Sequence, residues 1–249
     1  MTMGYSWVDR DPVVALVEQL EAEFLFRSVD PVKELLGITT HRIEDGVVVS
    51  MRKDLNGWGN RALGFTSVTE SLVERLLGIY TEEVVSDATL QFAPDLLPMN
   101  WRSIAARYGL VIGAEDLKLI ARIDRTQVEV PETTLRVAEV APAVEHADFR
   151  SFAAWENDEM IALGNLFVLG DDGLLTTTTS LQGRRRRRAE SAVAAAVMAA
   201  ARSMGCRLLV AGTAAPGPDR MAPSLNNLLR LGFEPAYVRS DWNWCALAQ

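Results

Sequence analysis

One stretch constrains the fold more than any other. From Gly173 to Thr213 the chain reads threonine-rich run, arginine run, alanine-rich run, apolar run. "GLLTTTTS" is β-branched and reads as a strand. "ESAVAAAVMAAARSMG" has high helix propensity and stops at Gly205. "CRLLVAGT" is again a strand. Strand, helix, strand demands an α/β fold. Five consecutive arginines, Arg184 to Arg188, sit at the strand-to-helix junction. A helix start presents unpaired N–H groups and the positive end of the macrodipole, so it suits an anion such as phosphate. Arginines there oppose the dipole unless an anion visits. The residues alone leave a solvated basic turn as the other reading.

The same grammar recurs along the chain. "DPVVALVEQLEAEFLFRS" opens with Asp11 and Pro12 and carries Val13, Leu16, Val17, Leu20 and Phe24 at helical spacing. "GVVVSMR" and "DATLQFAP" read as strands, "TESLVERLLGIY" and "PMNWRSIAARYGL" as helices, and "LVIGAEDLKLIARI" as a closing strand. A polar, proline-bearing stretch around Arg125 to Thr133 reads as a linker. Beyond it "TLRVAEV" is a strand. A helix is expected over Val144 to Trp155, then strands in "IALGNLFVLG" and "GLLTTTTS". After the alanine-rich helix and "CRLLVAGT" come a helix in "PSLNNLLRLGF" and a strand in "AYVRSDWNWCAL". Strand, helix, strand, helix, strand occurs once in each half, which predicts two related α/β domains, 1–127 and 128–249.

Composition narrows the function classes. The 249 residues are 49% hydrophobic with a net charge of −8, so a real core is expected and general binding to nucleic acid or to an anionic membrane is not. Cys206 and Cys245 share no metal-ligand spacing and are expected as reduced core thiols. The start shows no signal peptide and no run is long enough to span a bilayer, so a cytoplasmic protein is expected. His41 and His146 stand in no motif, and no cluster suits zinc. "NGWGNRALGF" matches no nucleotide-binding spacing and reads as a loop with a buried Trp58. Trp242 and Trp244 alternate on the last strand and should point the same way.

The stretch "RRRRRAESAVAAAVMAAARSMGCRLLVAGTAAPGPDRMAPSLNNLLRLGFEPAYVRSDW" resembles the acyl-CoA-binding core of the GNAT superfamily of N-acetyltransferases. It is most similar to a bacterial subgroup with two GNAT-like domains in tandem. Arg185 to Arg188, Ala189, Glu190, Gly205, Cys206, Thr213, Ser224, Asn227, Arg230, Gly232, Phe233, Tyr237 and Arg239 carry the likeness, which spans Ala162 to Trp244. The first half resembles a degenerate first domain around "NRALGF", "TE" and "RYGL".

The resemblance implies two domains, each a mixed, mostly antiparallel sheet flanked by helices. It implies acyl transfer, acetyl from acetyl-CoA, to a small-molecule amine, with no metal, in a monomer or homodimer. Carried over by position, Thr177, Thr178, Thr179, Ser180 and Leu181 would face pantetheine. Arg184, Arg185, Arg186, Arg187, Arg188 and Ala189 would face phosphates, and Asn227 the cofactor arm. Three departures stand out. Arg188 replaces a glycine, Leu228 replaces the tyrosine that serves many relatives as general acid, and the helical segment before "MIALGNLF" is short. Tyr237 is the candidate substitute acid and Glu159, in the cluster with Glu156 and Asp158, the candidate carboxylate near the acceptor. A GNAT-fold protein without transferase activity is the alternative. It would be a CoA or pantetheine binder, or an enzyme with decarboxylase, hydrolase or lyase chemistry on a small biosynthetic intermediate.

Overall fold

The structure, a computed structural model, describes residues 10–54, 59–124, 132–142, 146–180, 187–217 and 223–246. At residues 10, 11, 177–180, 187 and 188 it describes the backbone alone. The chain divides into two compact units. One gathers the described residues of Trp7–Asp116 and Tyr237–Gln249; the other gathers those of Leu117–Ala236. The sequence boundary after residue 127 follows the linker. The units instead divide within two strands, and the chain's last strand goes with the N-terminal unit.

The N-terminal unit begins with α1 (Arg10–Val29), α2 (Lys33–Leu36), β1 (Ile38–Ile43), β2 (Gly46–Met51) and β3 (Arg61–Leu63). It continues with α3 (Glu70–Glu82), β4 (Asp87–Phe92), α4 (Trp101–Arg107) and the first half of β5 (Val111–Arg122). Most of β11 (Glu234–Cys245) completes it, in the order β1-β2-β3-β4-β11-β5. β3 and β4 are parallel; β1–β2, β2–β3 and β4–β11 are antiparallel. Thr69 caps α3, its hydroxyl accepting from the Leu72 N–H. The helix then buries Leu72, Val73, Leu76, Leu77 and Tyr80 in a core with Ala88, Leu90 and Phe92 of β4. Trp242 and Trp244 pack against this same core, on one face of β11 as their alternation predicts. A second core joins Ala22, Leu25 and Val29 of α1 to Val47, Val49 and Leu63.

Polar groups tie α1 to β11. Glu18 is fully buried and Arg239 is 2% exposed. Arg239 Nη1 donates to both Glu18 oxygens at 3.0 and 3.1 Å, and Nη2 lies 2.7 Å from Glu21 Oε2. The Tyr237 hydroxyl donates to Glu18 Oε1 at 2.6 Å. Burial, then the Glu18 charge, pushes the pKa of Tyr237 well above the usual phenol value.

The C-terminal unit takes the rest of β5, then β6 (Arg136–Val140), β7 (Phe149–Glu156), β8 (Glu159–Leu169) and β9 (Asp172–Ser180). α5 (Arg187–Ser203), β10 (Leu208–Ala214) and α6 (Pro223–Arg230) follow, and the strand order is β5-β10-β9-β8-β7-β6. β9 and β10 are parallel and the β6-to-β9 pairs antiparallel. α5 packs on β7, β8 and β9, with Ala189, Ala192, Val193, Val197, Met198 and Ala201 buried. Its alanines allow close approach to the sheet.

Both sheets are thus mixed and mostly antiparallel, with helices against them. Two expectations are corrected. The helix expected over Val144 to Trp155 is strand β7 from Phe149, and residues 143–145 lie outside the described residues. Ala153 and Ala154 are both fully buried, so this strand is covered on both faces and loses the alternation that would reveal it. Cys206 is buried as expected, but Cys245 is exposed at the end of β11. Trp58 lies outside the described residues. Among the described residues no helix is long and apolar enough to cross a membrane.

Candidate functional site

The site follows from how β9 and β10 part. Their parallel pairing runs from Asp172 with Leu208 to Leu175 with Ala211 and goes no further. β9 continues to Ser180, still paired to β8 at Ala162, while β10 continues to Ala214. The pairing with β8 also breaks step. Leu163 opposes Thr179 and Asn165 opposes Thr176, so Thr177 and Thr178 lie opposite Gly164 alone. Such a bulge bends a strand and frees backbone groups from the ladder.

A cavity of about 190 Å³ lies where the strands part. Leu175, Ala194, Ala211, Leu228 and Leu231 give it apolar walls. Glu190 of α5, Thr213 of β10, and Ser224 and Asn227 of α6 supply its polar groups. Ser224, Asn227, Leu228 and Leu231 recur at helical spacing, so one face of α6 lines the cavity. Asn227 is 6% exposed, and its Nδ2 has no hydrogen-bond partner. Its Oδ1 accepts from Arg230 Nη1 at 3.5 Å. The hydroxyl of Thr176, next to Leu175, is also buried without a partner. Buried donors left unpaired are costly, so the Asn227 amide beside the cavity is a candidate donor for a ligand.

The residues singled out from sequence fall in several places. Asn227 lines the cavity. Thr177 to Ser180 form the end of β9 beyond its pairing with β10. Arg187 and Arg188 open α5 and Ala189 is buried beneath it. Leu181 and Arg184 to Arg186 lie outside the described residues. Tyr237 does not line the cavity; its hydroxyl is held by Glu18, and burial makes it a poorer acid. Glu159 is exposed at the β7–β8 turn, paired with Glu156. Leu228 lines the cavity, so that position presents no proton donor. Glu190, Thr213 and Ser224 were not singled out as site residues. For Ser224 the signal was present in its spacing three residues before Asn227.

The N-terminal unit repeats the strand–helix–strand arrangement in β3, α3 and β4, with parallel pairing limited to Arg61–Thr89 and Ala62–Leu90. There aromatic rings take the space. Phe65 and Phe92 meet edge to face with centroids 6.0 Å apart, Phe92 and Trp101 at 5.5 Å, and Trp101 and Trp242 at 5.1 Å.

No family model matches the sequence, and no curated protein matches it. Solved structures do. A GCN5-related N-acetyltransferase from Kribbella flavida is similar with a TM-score of 0.67 and 16% identity, over 93% of this chain and 95% of that one. A tandem GNAT protein from the clavulanic acid biosynthesis pathway is similar with a TM-score of 0.57 and 12% identity, over 82% of this chain and 83% of that one. The chain has a tandem GNAT fold. A GCN5-related N-acetyltransferase from Sphaerobacter thermophilus shares that fold at 10% identity and a TM-score of 0.55, each chain covered to 96%. Within the GNAT fold of this chain, the open cavity belongs to the C-terminal unit, and the corresponding region of the N-terminal unit is packed with rings.

Proposed function

We propose that the C-terminal unit binds acetyl-CoA and transfers its acyl group to a small-molecule amine. The observation that carries this reading is the cavity where β9 and β10 part, with the buried Asn227, whose Nδ2 has no partner, in its lining. Asn227 would donate to a carbonyl of the pantetheine arm, and the unpaired edge of β9 would receive that arm as an added strand. The start of α5, with its arginines, would hold the phosphates. Acetyl-CoA would supply an activated acyl carbon: an amine nitrogen would bond to it, the C–S bond would break, and CoA would leave as a thiolate that takes a proton from water. The β9–β8 register shifts at Thr177 and Thr178, and backbone N–H groups freed from the ladder there would suit a thioester oxygen. With Leu228 lining the cavity and Tyr237 held by Glu18, the amine's proton passes to water. GNAT-fold neighbours described as acetyltransferases support the reading.

The test combines thermal shift with acetyl-CoA and detection of free thiol across an amine panel. Stabilisation with thiol release is expected, and Asn227→Ala should weaken acetyl-CoA binding about ten-fold. Stabilisation without release from any amine would remove the transfer step. No stabilisation would remove the cosubstrate.

A further inference from the structure

The step in the β8–β9 register falls within a run of identical residues, Thr176 to Thr179. Asn165 opposes Thr176 and Leu163 opposes Thr179, so the extra residue of β9 lies between them. Register is ordinarily fixed by the side-chain pattern, because a slip by one residue sends different side chains to each face. Here a move of the step by one place exchanges one threonine for another. β9 therefore has no side-chain preference for which threonine leaves the ladder, and the choice has to come from β8.

β8 differs at each place, with Leu163, Gly164 and Asn165 in turn. Gly164 is buried and stands alone opposite Thr177 and Thr178. A glycine inside a strand has no side chain to pair across the sheet, which suits it to face a bulge. Asn165 is tied from the other side. It opposes Ser151 of β7 as well as Thr176 of β9, so the three share one face of the sheet. Ser151 is 3% exposed, and its hydroxyl donates to Asn165 Oδ1 at 2.6 Å. This polar row runs between apolar ones, Phe149, Phe167 and Leu174 on one side and Ala153 and Leu163 on the other. Without Asn165 the Ser151 hydroxyl would be a buried group with no partner, which is costly. We infer that Ser151 and Asn165 are positioning residues. The bond between them holds Asn165 against Thr176 as the last regular pair, confines the step to Gly164, and so selects Thr177 and Thr178 as the residues that leave the ladder. The consequence for catalysis rests on the thioester reading, in which backbone N–H groups at these two residues meet the thioester oxygen.

The test uses the full chain carrying isotope-labelled threonine, which gives one amide signal per threonine. The unaltered chain and Ser151→Thr, which keeps the hydroxyl, should show a single signal each for Thr176 to Thr179. Asn165→Val and Ser151→Ala should show second or broadened signals for these four, because the step then occupies more than one place. Thr69 and Thr89, in the N-terminal unit, should stay single in every variant. A purely structural role would lower the melting temperature without splitting the signals. With acetyl-CoA and an accepted amine, kcat should fall about ten-fold in Asn165→Val and Ser151→Ala while acetyl-CoA affinity stays within about two-fold, since a lost donor costs about 100-fold or more and the variants keep it part of the time. Ser151→Ala removes one oxygen atom, so it carries the test if Asn165→Val does not fold. Single, unshifted signals in the folded variants overturn the inference whatever the turnover. Split signals in a chain that binds no acetyl-CoA uphold the register lock and overturn the thioester reading instead.

Discussion

Replacing Arg239 with methionine should destabilise the N-terminal unit by about 3–5 kcal/mol. The magnitude comes from what is left behind. Arg239 Nη1 bridges both oxygens of Glu18, which is fully buried, and Nη2 lies 2.7 Å from Glu21. Methionine fills much of the volume but leaves Glu18 without its cation. Native domains are stable by about 5–15 kcal/mol in total, so this single change would remove a large share. Tyr237→Phe is the graded control. It deletes one 2.6 Å bond to the same carboxylate and keeps the arginine, so a loss of about 2 kcal/mol is expected. The two losses should not add, because both changes act through Glu18. Urea unfolding followed by tryptophan fluorescence measures all three variants, since Trp242 and Trp244 lie on the same strand as Arg239. If Arg239→Met stays within about 1 kcal/mol of the unaltered chain, the buried cluster does not hold α1 as argued. Tyr237→Phe should also leave the proposed acyl transfer intact. Loss of turnover in a folded variant would restore Tyr237 as a proton donor.

Val84 is a β-branched residue at φ 58°, so Val84→Gly should raise stability by about 1 kcal/mol, read as a rise in melting temperature. Gly64 sits at φ 91°, and a Cβ there would clash with the Ala22 Cβ. Gly64→Ala should therefore cost about 3 kcal/mol in denaturant titration. Burial raises the pKa of Tyr80 and of Tyr237 above the ordinary phenol value. In the unfolded chain both ionise near pH 10 while the folded chain keeps their protons. Stability should then fall above that pH, by up to about 1.4 kcal/mol per pH unit for each. Absorbance at alkaline pH should show these two phenols ionising only as the chain unfolds.

How much could be read from the residues depended on whether the signal was local. The threonine-rich strand, the alanine-rich helix and the strand after it stand where the sequence put them, as β9, α5 and β10. Asn227 is assigned by the resemblance, carried over by position, and it lines the cavity. β1 escaped notice because "ITTHRI" mixes polar and apolar residues without alternation. β3 has three residues, too few to carry a period. β7 was hidden by burial on both faces. Tyr237 looked like a proton donor because nothing near it in the chain announces Glu18, which lies on α1 and meets it only in the folded unit. The place of β11 in the N-terminal unit rests on pairing with β4, such as Ser240 with Phe92, and no local pattern encodes a partner so distant.

That last strand sets an order of events during synthesis. The N-terminal unit's first residues emerge from the ribosome before the C-terminal unit, yet its sheet lacks β11 until residues 234–245 have been made. Until then the edge of β4 stays open and Glu18 has no cation to meet. The unit begun first is therefore completed only after the whole C-terminal unit has been translated, and a nascent chain stalled at the linker would hold a half-built sheet.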